Sequence, residues 1–168
     1  MRIAVMASGS GTILQAIIQA LIPVELVITD RECFAEKIAT KYNIEHIRVE
    51  RSSYRKDFNR DAFTCEIRDT FIEKEIDLIA MAGFGTILSK PIYDVYANRI
   101  LNTPPSLLPS FPGWHAVEEA IEYGVKVTGC TVHIATEEVD AGPILAQESI
   151  SVFKDDTKET LHERIKEV

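Results

Sequence analysis

The chain has 168 residues, of which 46% are hydrophobic, so it is long enough for one buried core and too apolar for a disordered polymer. Its formal net charge of −8 argues against nucleic-acid binding and against attachment to anionic membranes, both of which need a basic surface. No segment reaches the roughly 18 consecutive apolar residues that a membrane helix requires.

The three cysteines, Cys33, Cys65 and Cys130, are widely spaced, and none forms a CxxC pair. This spacing is typical neither of a disulfide framework nor of a zinc site. The apolar run after Met1 is too short for a signal peptide. We therefore expect a cytoplasmic protein without a metal.

Short apolar runs alternate with helical patterns from one end of the chain to the other. This alternation predicts the α/β class, with a Rossmann-like, mostly parallel twisted sheet, helices on both faces and a single domain over residues 1–168. The predicted strands are 2–7, 24–30, 45–50, 77–85, 99–102, 126–135 and 144–152, the last two with alternating patterns. The predicted helices are 12–21, 34–42, 54–74, 90–97, 116–124 and a last helix that starts at 157 and runs to the end of the chain.

The first turn, residues 8–12, joins the first strand to the first helix with two glycines. Glycines allow a ligand to approach the backbone, and the free N–H groups at a helix start favour an anion such as a phosphate. A dinucleotide fingerprint would need a third glycine where Leu14 stands, although Asp30 is suitably spaced for a ribose contact. A sharp turn without a ligand is the third alternative.

Two later turns carry polar side chains that suit acyl transfer. Asn102 ends a strand and opens a proline-rich loop, where its amide could donate to an oxyanion or could only tie down the backbone. Asp140 lies in an acidic turn between two strands and could orient a water or an amine, or could simply form the turn. His115 and His133 are each a candidate general base or a structural histidine.

Taken together, these segments resemble the folate-dependent formyltransferases, in particular those that act on glycinamide ribonucleotide. The resemblance rests on VMASGSGTILQAI (5–17), AGFGTILS (82–89), ILNTPPSLLPSFPGWHA (100–116) and GVKVTGCTVHIATEEVDAGPILAQ (124–147). It implies transfer of a formyl group from the co-substrate 10-formyltetrahydrofolate to the amine of glycinamide ribonucleotide, in purine synthesis. Both substrates are small molecules, and a homodimer is one option for the assembly.

The resemblance also implies roles for individual residues. Asn102 and Asp140 match the family's catalytic asparagine and aspartate, whereas Pro104 occupies the position of the catalytic histidine. The side chain of proline can neither accept nor donate a proton. The reaction would then be carried by Asp140, Asn102 and bound water, with His115 and His133 as candidate substitutes for the histidine. The remaining implied contacts are the backbone of Gly11, Thr12 and Ile13 for the substrate phosphate, and Arg60, Gly85, Thr86, Ile87, Leu88 and Asn102 for the folate.

The sequence also departs from the family elsewhere. A Met-Arg pair is usual where Gly85 and Thr86 stand, an asparagine is usual at Ile13, and the chain is short at its C-terminal end relative to the family. Three hypotheses follow: a working formyltransferase, a catalytically impaired relative that binds a nucleotide or folate, and a dinucleotide-binding domain.

Overall fold

The computed structural model describes all residues from 1 to 168, and they form two compact units, Met1–Leu101 and Asn102–Val168. Seven strands and six helices alternate along the chain, which confirms the predicted α/β class. None of the helices combines the length and the apolar character that a membrane span requires. The strands are β1 (Ile3–Ala7), β2 (Leu26–Thr29), β3 (Glu45–Arg48), β4 (Leu78–Met81), β5 (Ile100–Asn102), β6 (Val127–Ile134) and β7 (Ile144–Ser151). The helices are α1 (Thr12–Gln19), α2 (Phe34–Lys41), α3 (Arg60–Glu73), α4 (Lys90–Val95), α5 (Ala116–Tyr123) and α6 (Lys158–Ile165).

The first unit contains a parallel sheet in the order β3-β2-β1-β4. Val5 in β1 pairs with Val27 on one side and with Ala80 on the other. All five residues of β1 are buried, as expected for a parallel strand between two neighbours with both faces covered. This arrangement confirms the prediction of a mostly parallel sheet.

The core of the first unit fixes where the first turn lies. Leu14 of α1 packs with Ala35 and Ile38 of α2 and with Val5 and Val27 of the sheet. These contacts hold the start of α1 directly after the end of β1. The turn at residues 8–11 therefore lies at the carboxyl end of a strand, where parallel sheets usually bind ligands.

Helix α3 begins at Arg60, six residues later than the pattern predicted. Asn59 caps the helix, because its side-chain oxygen accepts a hydrogen bond of 3.0 Å from the backbone N–H of Ala62. Phe58 precedes the cap and packs edge to face on Phe63, with ring centroids 5.4 Å apart. This contact is a hydrophobic staple, so the apolar repeat that suggested an earlier start comes from the staple and not from helix.

The second unit is built on an antiparallel pair of strands and two helices. Strands β6 and β7 pair with Thr131 opposite Gln147, and the register shifts between Val132 and His133. Helices α5 and α6 pack through Val117, Leu161 and Ile165. Helix α6 starts with a capping box between Thr157 and Thr160 and ends at Ile165, whereas the pattern extended it to the last residue.

Strand β7 is exposed along almost its whole length, although its sequence predicted an alternation of buried and exposed residues. Ile150 alone is partly buried, and it packs against the core formed by α5 and α6. Ile144 and Leu145 are adjacent, so they point to opposite faces of the strand, and both are about half exposed. The alternation prediction was therefore wrong for this strand.

Candidate active site

The carboxylate of Asp140 is the centre of a polar cluster in the second unit. Its Oδ1 accepts a hydrogen bond of 3.1 Å from Nδ2 of Asn102, and its Oδ2 accepts one of 2.7 Å from the backbone N–H of Gly113. Nε2 of His133 lies 3.3 Å from the same Oδ1. Only 5% of the Asp140 side chain is exposed, so its charge is held by protein groups rather than by solvent.

The turn that carries Asp140 has a demanding backbone. Asp140 itself adopts a left-handed conformation with φ of 54°, which aspartate tolerates better than most residues. Gly142 lies against Ile134, where an added Cβ would come within 1.7 Å of the carbonyl oxygen. The hydroxyl of Thr136 donates to the carbonyl of Glu138 and closes the turn. These constraints restrict the conformation of the turn and so fix the orientation of the Asp140 carboxylate.

His133 lies on β6 and is almost completely buried, with 1% of its side chain exposed. Its Nδ1 lies 3.0 Å from the carbonyl oxygen of Ile134, which can only accept, so we assign the proton to Nδ1. Its Nε2 has no aligned hydrogen bond, and its charged neighbour is the Asp140 carboxylate. The arrangement places an imidazole nitrogen 3.3 Å from a carboxylate oxygen, both of them buried.

Asn102 ends β5 and is half-buried. Because an amide nitrogen carries two hydrogens, the bond to Asp140 uses one and leaves the second for another acceptor. The carboxylate can only accept, which also settles the orientation of the amide group. Asn102 is thus a fixed donor of the kind that stabilises an oxyanion.

The proline loop after Asn102 places Pro104 in a buried position. The carbonyl of Pro104 accepts a hydrogen bond of 3.2 Å from the backbone N–H of Thr131. The pyrrolidine ring has neither a donor nor a titratable group, so it can hold the loop and cannot move a proton.

His115 lies at the protein surface and does not contact Asp140. Its side chain is 66% exposed, and Nδ1 lies 2.6 Å from Oε2 of Glu118. Lys158 also donates to Glu118, and together Lys158 and His115 lower the pKa of that carboxyl group. The structure therefore brings Asn102, His133 and Asp140 together and leaves His115 in a separate ion-pair group.

In the first unit, Gly11 caps the start of α1 with φ of 70°. An added Cβ would lie 2.8 Å from Cδ1 of Ile38 and 3.0 Å from Cα of Ala35, so only glycine fits without displacement. The next two residues, Thr12 and Ile13, offer backbone N–H groups of the first helical turn. Ile13 packs its side chain against the core and presents only its backbone to a ligand.

The turn after β4 is tied to the first turn and to Asp30. The hydroxyl of Ser8 accepts a hydrogen bond of 2.6 Å from the N–H of Gly85, and the hydroxyl of Thr86 donates to Asp30 over 2.7 Å. Arg31 donates to both oxygens of Asp30. Burial alone would raise the pKa of Asp30, but the hydrogen bonds from Arg31, Thr86 and Ser8 outweigh it and lower the pKa.

Asp30 is fully buried, and its carboxylate already accepts hydrogen bonds from Arg31 and Thr86, so its side chain is not presented to a ribose hydroxyl. The burial of Asp30 argues against the ribose contact that motivated the dinucleotide hypothesis. No three His, Cys, Asp or Glu side chains are grouped so that they could hold a metal ion.

The expected folate residues differ in what they expose. The side chains of Thr86 and Leu88 are buried, so these two residues could offer a ligand only their backbone, whereas Ile87 is 48% exposed. Arg60, the first residue of α3, is exposed and forms no ion pair. It is a free cation that could meet a carboxylate.

Three groups that build the site cannot be recognised from the sequence. The N–H of Gly113 fixes Asp140, and Thr131 and Gln147 bind the backbone of the proline loop. A backbone donor and two side chains that hold a distant loop cannot be recognised without the register of β6 and β7.

Known proteins share both the sequence and the fold. The formyl transferase family profile matches residues 1–168. A phosphoribosylglycinamide formyltransferase of Mycobacterium tuberculosis is 42% identical over 98% of this chain and 78% of its own length. One from Bacillus subtilis is 36% identical over 98% and 86%.

The crystal structure of glycinamide ribonucleotide transformylase 1 from Symbiobacterium toebii matches with a TM-score of 0.93 and 38% identity, over 99% of this chain and 81% of that chain. The resemblance seen in the sequence and the Rossmann-like fold class are thereby confirmed. The chain belongs to the formyl transferase family.

Proposed function

We propose that the chain is a phosphoribosylglycinamide formyltransferase that transfers the formyl group of 10-formyltetrahydrofolate to the amine of glycinamide ribonucleotide in purine synthesis. The family match over the whole chain supports this function. The observation that supports it most directly is the hydrogen bond between Asn102 and Asp140. It joins the two groups that acyl transfer needs, a fixed donor and a buried carboxylate.

Asn102 stabilises the tetrahedral intermediate. The amine nitrogen of the substrate attacks the formyl carbon, and the carbonyl oxygen becomes an oxyanion. The Asn102 amide donates its second hydrogen to that oxygen, while its first hydrogen remains hydrogen-bonded to Oδ1 of Asp140. A donor that is already oriented costs no reorganisation when charge develops, which is why such donors lower the barrier.

Asp140 acts on the proton. The attacking amine must lose one proton, and the departing folate nitrogen must gain one when its bond to the formyl carbon breaks. We assign the first transfer to Asp140, directly or through a bound water, with His133 sharing the proton through Nε2. Asp140 and His133 thus carry out the proton transfer that the side chain of Pro104 cannot perform.

The other substrate contacts lie in the first unit. Backbone N–H groups of Gly11, Thr12 and Ile13 bind the phosphate of the ribonucleotide, where the start of a helix favours an anion. Arg60 pairs with a carboxylate of the folate. Residues 85–88 contribute backbone groups and the exposed side chain of Ile87 to the folate site.

We also propose that the protein acts in the cytoplasm as one formyltransferase domain over residues 1–168, on small-molecule substrates and without nucleic acid. A homodimer is the assembly that we propose, and light scattering of the purified protein tests it. A mass equal to one chain at micromolar concentration would rule the dimer out.

Product analysis tests the proposed function. The purified protein is incubated with glycinamide ribonucleotide and 10-formyltetrahydrofolate, and products are identified by mass spectrometry. We expect formylated ribonucleotide in equal amount to the tetrahydrofolate released. Free formate without formylated ribonucleotide would instead show hydrolysis of the co-substrate. Binding of both substrates without any product would mean that the protein is the catalytically impaired relative.

A further inference from the structure

The proline loop cannot satisfy its own backbone. Three of the eight residues from 102 to 109 are proline, so the loop has few N–H groups to offer to its carbonyls. Buried carbonyls need donors from elsewhere. Three alternate carbonyls of the loop, those of Pro104, Ser106 and Leu108, receive their hydrogen bonds from β6 and β7.

The hydroxyl of Thr131 is the central group of this contact. It donates to the carbonyl of Ser106 over 2.7 Å and accepts from the N–H of Leu108 over 3.1 Å and from Nε2 of Gln147 over 3.0 Å. A hydroxyl has one hydrogen to donate and two lone pairs, so every capacity of Thr131 is used. Its side chain is also fully buried, which fixes the direction of the hydroxyl.

Gln147 completes the contact from the exposed strand β7. It lies directly opposite Thr131, and its Nε2 donates to Thr131 and, over 2.9 Å, to the carbonyl of Leu108. Both hydrogens of the amide are therefore bound to the loop or to the hydroxyl that holds it. Gln147 is exposed like the other residues of β7 from Ile144 to Ser149, but its amide forms the hydrogen bonds that link this part of the strand to the loop.

We propose that Gln147 is a positioning residue for formyl transfer, and this inference rests on the proposed function. Through Thr131 and Leu108 it holds the loop that starts at Asn102, and so it fixes the amide of Asn102 relative to Asp140. Gln147 does not touch the reacting atoms. A shift of about 1 Å in a catalytic donor can cost a factor of up to about 100 in rate, so a loosened loop lowers turnover even when the fold is intact.

Gln147→Met tests the proposal, because methionine has a similar length and no N–H group. We expect kcat to fall at least about tenfold, because two hydrogen bonds are lost and one alone is worth up to about tenfold, with both KM values within about twofold of the original. Ser149→Ala on the same exposed strand is the matched control and should leave kcat unchanged. Thr131→Ser keeps the hydroxyl and should retain most of the activity.

Amide hydrogen exchange gives a second readout that does not depend on turnover. The N–H of Leu108 is bonded to Thr131, so Gln147→Met should speed its exchange about tenfold while the melting temperature stays close to that of the original protein. Unchanged kcat and unchanged exchange at Leu108 would overturn the proposal, as would an equal loss of activity in Ser149→Ala. If the original protein makes no product, the proposed function fails by itself, and exchange at Leu108 then decides whether Gln147 anchors the loop.

Discussion

Nδ2 of Asn102 lies 3.1 Å from Oδ1 of Asp140, which joins the last residue of β5 to the turn before β7. The bond aligns the amide and engages one lone pair of the carboxylate at the same time. Gly113 engages the other oxygen, and His133 faces the first. The geometry explains how a carboxylate and an amide can act together beside Pro104, whose side chain cannot move a proton.

Asn102→Ala removes the proposed oxyanion donor. We expect kcat to fall by about 10²–10³, the usual cost of losing one such donor, with a smaller change in KM. Steady-state kinetics with both substrates measures it. Asn98→Gly removes an amide outside the candidate site at a left-handed position with φ of 60°, which glycine accepts, and should keep at least half of the activity.

Pro104→His introduces an imidazole at the position where the resemblance implies the catalytic histidine. Since a positioned general base contributes about 10²–10⁴, even an imperfectly placed imidazole should raise kcat at least about tenfold. Pro104 is buried, so the melting temperature of the variant must be measured together with its kcat. A stable variant with unchanged turnover would mean that proton transfer does not limit the reaction.

Glu36 makes stability depend on pH. The Arg48 guanidinium donates to both carboxylate oxygens of Glu36, and the hydroxyl of Thr29 donates to one of them. These hydrogen bonds outweigh the partial burial of Glu36 and lower its pKa from 4.5 to about 2. A lowered folded-state pKa means that the stabilisation is present above the unfolded value and is lost as the pH falls toward the folded value.

Glu36→Gln should therefore lower the melting temperature at neutral pH, and the gap to the original protein should narrow as the pH falls below about 4.5. Melting curves at several pH values provide the measurement. Glu137→Gln, at an exposed position, serves as the comparison and should show no such gap. A gap that stays constant down to about pH 3 would contradict the role given to the Arg48 pair.

Gly11→Ala tests the first turn. The positive φ and the contacts at 2.8 and 3.0 Å leave no room for a methyl group, so we expect a loss of about 1–3 kcal/mol in the free energy of unfolding. Urea unfolding measures the change. Gly9→Ala is the control, because an added Cβ there meets nothing within 4 Å.

Much of the fold could be predicted because burial follows simple periods. The run from Ile3 to Ala7 is apolar throughout, and it forms the buried strand that such a run predicts. The start of a helix is harder to predict, because an apolar residue before the cap fits the same spacing as a residue inside the helix. Phe58 is such a residue, since it precedes α3 and packs on Phe63. The burial of β7 cannot be predicted in this way, because an alternating pattern of apolar and polar residues does not show whether another element covers the strand.

The site was predictable only in part. Asn102 and Asp140 stand in recognisable motifs, but their hydrogen bond links residues that are 38 positions apart. The motifs gave no reason to prefer His133 over His115, and the choice depends on which side chain is buried beside Asp140. The bonds from Gly113 and Gln147 depend on strand register and loop shape, which local sequence does not determine.

The most direct test compares turnover of the original protein with that of Asp140→Asn, using glycinamide ribonucleotide and 10-formyltetrahydrofolate. Asparagine tolerates the left-handed backbone at this position, so the variant should fold, and the exposed Asp155→Asn controls for loss of a charge. The account predicts measurable formyl transfer by the original protein and a fall of about 10²–10⁴ in kcat for Asp140→Asn. Full activity in Asp140→Asn, or no product from the original protein, would contradict it.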